Sequence, residues 1–176
     1  LLESCVELYP DNERAALAYQ NVLSKLGKFP DAVKVAKARL ALNPESFAIK
    51  TSLAHALVGV GQLDEAISLY KEVLSQNADR PKVWVALGHA LKAKGDTTDA
   101  VNAYEKAVEY ANDYGDAYWS LANTKTYKFS DNMLSQMCKQ VEASSIKLDD
   151  KIHICFALGK GFEDKGQADK AFAYYD

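Results

Sequence analysis

His55 and His89 stand 34 residues apart, Asn21 lies 34 before the first and Asn123 lies 34 after the second. Polar side chains repeated at a fixed interval can donate and accept hydrogen bonds along a line, which suits holding a partner's backbone. A solvated face that tolerates any polar residue is the alternative, and both readings stay open. Catalysis finds less support. Two histidines alone fall short of a metal set, because a zinc site needs three or four ligands. The carboxylates are scattered along outward faces and often spaced for pairing with lysine, as in Asp99, Glu105, Lys106 and Glu109, whereas general acid–base chemistry needs them gathered at a reacting group. Gly159-Lys160-Gly161 follows no strand, so close packing explains its glycines better than a phosphate-cradling loop does. Cys5, Cys138 and Cys155 are odd in number and widely spaced, which points to reduced thiols on apolar faces rather than to a disulfide framework or zinc site. The expectation is therefore a chain with no catalytic residues, no metal and no cofactor.

The interval of 34 is the organising feature of the chain. Tyr19, Leu53, Leu87 and Leu121 step by it, as do Gly27, Gly61 and Gly95, and Ala32, Ala66 and Ala100; Tyr70 and Tyr104 share the phase. The register divides the chain into units at 13–46, 47–80, 81–114 and 115–151, the last made irregular by three extra residues near 149–151. A truncated unit follows at 152–176, and residues 1–12 fit the second helix of an earlier partial unit. The expectation is one continuous array over 1–176, with both ends reading as cut from a longer protein.

Each unit reads as two helices. Trp84, Leu87, Gly88 and Leu91 recur at i, i+3, i+4 and i+7, the signature of an amphipathic helix. Gly95 then breaks it as a left-handed C-cap, and Asp96, Thr97 or Thr98 is placed to cap the next helix, whose inner face carries Ala100, Tyr104 and Ala107. Gly88 and Ala100 are small enough for the two backbones to approach, and Tyr104 is large enough to fill the groove between hairpins. Unit four departs from this scheme: Phe129 replaces the turn glycine, Leu134 the alanine and Cys138 the tyrosine, so either its hairpin opens at a different angle or the repeat assignment weakens after Tyr127.

W-x-x-L-G at 84–88, followed by Gly95, Ala100, Tyr104 and Ala107, resembles the tetratricopeptide repeat, and the likeness covers essentially the whole chain. The resemblance implies an all-α, right-handed solenoid of antiparallel helix pairs, each stacking on the next to bury its apolar face. It also implies that the first helices line a concave groove where a protein or peptide binds. In that register the ninth positions Asn21, His55, His89 and Asn123, with Lys160 in the fifth unit, form a polar ladder. Lys82, Trp119, Tyr127 and Phe156 join them as groove residues. Trp119 stands out, because Tyr118 already takes the inward role that Trp84 fills one unit earlier; it either points into the groove or packs against the irregular fourth hairpin. Clamps for a terminal carboxylate, found in some members, are incomplete here: Asn21 and Lys82 match, but Leu17, Ser52 and Ala86 do not.

Residues 121–175, with Leu121-Ala122-Asn123-Thr124-Lys125, Tyr127-Lys128-Phe129-Ser130-Asp131 and His153 through Asp164, are similar to the segment before the catalytic domain in bacterial tetratricopeptide-containing sulfotransferases. That resemblance implies a regulatory or substrate-positioning arm for a domain using the sulfonate donor PAPS beyond residue 176.

A formal net charge of −3 supplies no basic footprint for nucleic acid, and the short apolar runs exclude a membrane-spanning helix. With no visible signal peptide, the expected setting is a bacterial cytoplasm. The leading function is a scaffold for protein–protein interaction, and self-association through the ends or an aromatic groove is a further reading.

Overall fold

The computed structural model describes residues 12–176, so Cys5 and the partial unit at 1–12, apart from Asn12, lie outside the described residues. The described residues form ten α-helices and no strand. They fall into two compact units, divided after Ala78.

The first unit holds α1 (Glu13–Lys25), α2 (Phe29–Leu42), α3 (Phe47–Gly59) and α4 (Leu63–Gln76). Its helix starts follow ordinary chemistry. The Asn12 side chain accepts from the Ala15 N–H at 3.0 Å, Ser46 accepts from Ile49, and Pro30 sits in the first turn of α2, where a missing N–H costs nothing. α1 packs on α2 and α3, and α3 on both α2 and α4. Leu23, Ala32 and Ala56 form a core with Tyr19, Val33 and Val35 against it. Glu13 ties α1 to the loop before α3 by accepting from Ser46 Oγ at 2.9 Å and Asn43 Nδ2 at 3.1 Å. Lys50, almost covered, donates to Glu72 of α4 at 2.8 Å, and this bond holds the ammonium's pKa above its usual value.

The second unit holds α5 (Pro81–Lys94), α6 (Thr97–Tyr110), α7 (Gly115–Ala122), α8 (Asp131–Glu142), α9 (Leu148–Asp164) and α10 (Ala168–Tyr175). The α5–α6 hairpin closes around one contact. A β-carbon on Gly88 would collide with the ring of Tyr104, which is fully buried on α6. Gly88 therefore admits the Tyr104 ring of its own hairpin, where the sequence suggests a close approach of the two backbones. Gly159 of α9 receives the Tyr175 ring of α10 in the same manner.

The turn glycines share one geometry across both units. Gly27, Gly61, Gly95 and Gly166 all have positive φ, from 71° to 101°. After Gly61, Gln62 N–H donates to Leu57 O; after Gly95, Asp96 N–H donates to Leu91 O; after Gly166, Gln167 N–H donates to Phe162 O, each at 2.9 Å. With the glycine N–H bonded three residues back, this is a Schellman ending, which satisfies the last carbonyls of the first helix. The expected side-chain cap on α6 is absent. Thr97 begins the helix and Asp96 precedes it, but its carboxylate turns to Lys94 at 3.6 Å. The backbone turn already sets the start of the second helix.

The hairpin over 115–151 has local features whose causes are visible. α7 ends at Ala122 because three side chains take helix carbonyls: Ser120 donates to Asp116 O at 2.7 Å, Asn123 Nδ2 to Trp119 O at 2.9 Å and Thr124 to Ser120 O at 3.0 Å. Such back-bonding competes with helix propagation. α8 does not close onto α7 among the described helix pairs; it packs on α9. Leu134, Met137 and Phe129 are buried, and Leu134 and Phe129 press on Gly161, so Gly159-Lys160-Gly161 is a packing motif. α9 starts at Leu148, ahead of the expected start near 152. The extra turn brings Asp150 to α7, where its carboxylate accepts from the Gly115 N–H at 2.8 Å. A side chain from the following hairpin thus caps a helix whose own N-cap residue, Tyr114, makes no side-chain cap bond.

Two substitutions test these contacts. Gly88→Ala forces the Tyr104 ring aside and is expected to destabilise by about 1–3 kcal/mol in urea unfolding. Asp150→Ala strips the borrowed cap and is expected to cost about 1 kcal/mol, with faster amide exchange at Gly115.

Candidate functional site

In the second unit the first helices α5, α7 and α9 lie side by side, since α7 contacts both of its neighbours. Their exposed faces form a wall, and residues at equivalent positions meet across it. At the second position, the Asp116 carboxylate lies 3.0 Å from His153 Nδ1 while its other oxygen accepts from Tyr114 at 3.0 Å. At the fifth position, Trp119 lies against Phe156 with ring centroids 4.2 Å apart, and against His153 at 5.2 Å. Phe156 continues to Tyr175 at 5.8 Å. Trp119 remains 36% exposed, so part of it stays open to solvent beside these contacts.

The ninth position holds His89, Asn123 and Lys160. His89 Nδ1 lies 3.0 Å from the Tyr104 hydroxyl, with the two rings edge to face. Burial pushes the Tyr104 phenol up to about 12, so it stays protonated. The surrounding protein, and secondarily Lys92, hold His89 below the ordinary histidine value of 6.5, although an edge of its ring is open to solvent. Lys92 Nζ donates at 3.0 Å to the carbonyl of Asn123, which closes α7. Lys160 pairs with Asp164 at 2.5 Å, and Asp164 also takes Lys128 at 2.6 Å; these two hydrogen bonds, Lys128 first, hold that carboxyl below its usual range.

The expected groove residues therefore divide. Lys82, His89, Trp119, Asn123, Phe156 and Lys160 stand on α5, α7 or α9 or at the end of α7. Asn21 and His55 are exposed on α1 and α3 of the first unit. Tyr127 departs from the row. With α7 ended at Ala122, the helical register no longer carries residue 127 onto the wall, and its hydroxyl turns to Glu105 of α6 at 3.0 Å and to Met133. His153 and Asp116 are the pair that residue-by-residue reading missed; their shared second position was the available signal. Cys138 is half-buried with Sγ 3.3 Å from the Tyr174 hydroxyl, and burial raises the half-buried Cys155 thiol, so both sit within packing contacts. Among the described residues no three His, Cys, Asp or Glu side chains converge as a metal set, and no helix is long and apolar enough to cross a membrane.

A family model described as the tetratricopeptide repeat matches residues 26–89 and again 57–124. Among solved structures, the chain is similar to MamA, at 18% identity and a TM-score of 0.60, covering 99% of this chain and 80% of that one. It is similar to YrrB, a TPR protein with an unusual peptide-binding site, at 18% identity and a TM-score of 0.61, covering 98% and 88%. It is also similar to BtubC from P. vanneervenii, at 16% identity and a TM-score of 0.71, covering 99% and 84%. No curated protein matches the chain. At such identities the structural likeness speaks for the fold.

The depressed His89 pKa has a consequence for stability. The folded state disfavours the protonated ring, so stability is retained above the ordinary value of 6.5 and is lost as pH falls below it. His89→Gln is expected to flatten that part of the profile, read as urea midpoints between about pH 7.5 and about pH 5. Identical slopes for the two proteins would refute this assignment.

Proposed function

The chain belongs to the tetratricopeptide repeat family, and on that premise we propose that it is a non-catalytic scaffold whose first-helix wall binds a peptide or a neighbouring protein domain. The observation that carries this reading is Trp119, held by Phe156 and His153 and in part open to solvent. A rigid aromatic of this kind contributes large contact area at small entropic cost, which is why Trp dominates the energetics of many interfaces. The polar residues around it, His89, Asn123 and Lys160, supply hydrogen-bonding groups that fix a partner's register. YrrB has a peptide-binding site on a similar fold, which supports the same use here.

The likeness of residues 121–175 to sulfotransferase-associated repeats gains no support from the comparisons, because the family match covers repeats alone and no curated protein matches. The features that suggested it have local explanations: Phe129 fills space beside Gly161, and the 123–130 stretch follows a helix stopped by its own side chains. A cytoplasmic setting and self-association remain parts of the proposal that rest on the sequence.

Peptides selected from a random phage-displayed library on the wild-type chain test the wall directly. Trp119→Ala with Phe156→Ala is expected to weaken the selected peptides by about 2 kcal/mol, roughly thirtyfold, with helicity by circular dichroism unchanged. Undiminished affinity in that variant would move the site away from this wall.

A further inference from the structure

The exposed face of α5 differs from the rest of the wall in its charge. The sequence of α5, PKVWVALGHALKAK, contains three lysines and a histidine and no carboxylate, within a chain whose net charge is −3. Lys82, His89 and Lys92 stand at i, i+7 and i+10 and so share one helix face. All three are exposed. Among the described residues, Asp116 of α7 is the carboxylate that acts on His89, and both its oxygens are engaged, by His153 and Tyr114. On the side of α6, Glu105 accepts from Tyr127.

His89 is more than a polar residue at a tolerated position, because its Nδ1 lies 3.0 Å from the buried Tyr104 hydroxyl. The Tyr104 hydroxyl is buried, and His89 Nδ1 is the acceptor that the structure places within reach of its proton. With the phenol donating to Nδ1, the neutral ring carries its proton on Nε2, at the open edge. The exposed side of His89 is thus an N–H donor with no acceptor function. Lys82 and Lys92 are also donors only. A helix rises about 1.5 Å per residue, so the strip from 82 to 92 spans about 15 Å, the length of roughly five residues of extended chain.

We propose that this strip binds an acidic peptide segment, with His89 donating through Nε2, Lys82 and Lys92 facing the carboxylates, and an apolar residue of the same segment reaching the Trp119 wall. The proposal rests on the peptide-binding reading above and names the chemistry of its partner. Donors without acceptors discriminate in one direction: they receive a carboxylate or a carbonyl oxygen and repel a cation.

The test uses three short labelled peptides in which Leu alternates with Glu, Gln or Lys, measured by fluorescence anisotropy against the whole chain. The Glu peptide is expected to bind about tenfold more tightly than the Gln peptide, with the advantage shrinking as salt rises. Lys82→Gln with Lys92→Gln should abolish that advantage by weakening the Glu peptide far more than the Gln peptide. Imidazole nitrogen NMR should show His89 as a single Nε2–H tautomer, and Tyr104→Phe should convert it to a mixture and lower the Glu peptide's affinity. Equal affinity for the Glu and Gln peptides, with both sensitive to Trp119→Ala, would overturn the acidic preference and leave the peptide-binding wall intact. A preference for the Lys peptide, or a single-stranded oligonucleotide displacing the Glu peptide through the same lysines, would overturn it as well. Failure of all three peptides to bind would remove the wall and the preference together.

Discussion

The ring of Tyr104 resting on Gly88 is the contact on which the second unit's architecture and its chemistry both depend. A glycine on the first helix lets a buried aromatic from the second lie against bare backbone, and dispersion over so large a ring stabilises the hairpin more than any side-chain hydrogen bond near it. The same ring is long enough to carry its hydroxyl through the hairpin to the far face, where it meets His89. A phenylalanine would pack equally well and leave the histidine free to choose its tautomer. Packing and recognition are thus joined in one side chain, and the polar end of a core residue becomes the orienting partner of a surface one. The first unit closes with a tyrosine at the corresponding position, Tyr70, also buried, but among the described residues His55 there makes no comparable bond to a buried hydroxyl.

Much of this was legible in the residues because it is local. A glycine at a fixed place after an amphipathic stretch implies a left-handed ending, and Gly27, Gly61, Gly95 and Gly166 all adopt one. Alternation of small and large residues on the second helices implied that Ala66, Ala100, Tyr70 and Tyr104 would be buried, and they are. Trp119 and Phe156, both named as groove residues from the register, have their ring centroids 4.2 Å apart. The end of α7 was harder to see. It depends on three side chains turning back onto the helix, and Ser, Asn and Thr do so only when no better partner is offered from outside. Asp150 capping Gly115 was beyond reach for a different reason: it needs the early start of α9 and the missing β-carbon of Gly115 together, two facts separated by 35 residues.

The irregular fourth repeat is best understood as an exchange of partners. A regular repeat closes its hairpin with a small residue on the second helix. Here Leu134 occupies that place and Phe129 the turn, and neither fits a narrow gap against α7. The large side chains instead find the glycine surface of α9, where Gly161 offers room. α9 then serves two neighbours, α8 through its glycine face and α7 through Asp150, His153 and Phe156. This explains why the polar and aromatic cross-links of the wall concentrate between α7 and α9: with its own hairpin open, α7 takes its fixing contacts from the helix that follows.

That concentration also sorts the wall by availability. Along α7 and α9 the polar groups are already engaged, Asp116 with His153 and Tyr114, and Asp164 with Lys128 and Lys160, so a partner arriving there would displace interactions already made. Exposed pairs of this kind contribute little each, and a ligand gains little by replacing one with another. On α5, Lys82 and the open edge of His89 face outward, while Lys92 already donates to the Asn123 carbonyl and Lys94 pairs with Asp96. Binding energy is gained where groups are oriented and unpaired before the partner arrives, because the ordering has been done during folding. The Tyr104–His89 contact meets that condition most fully, since a fully buried residue holds the orientation of an exposed one. For a wall otherwise built of matched charges and one presented tryptophan, α5 is therefore the edge at which selectivity can arise, and Trp119 the place where affinity can.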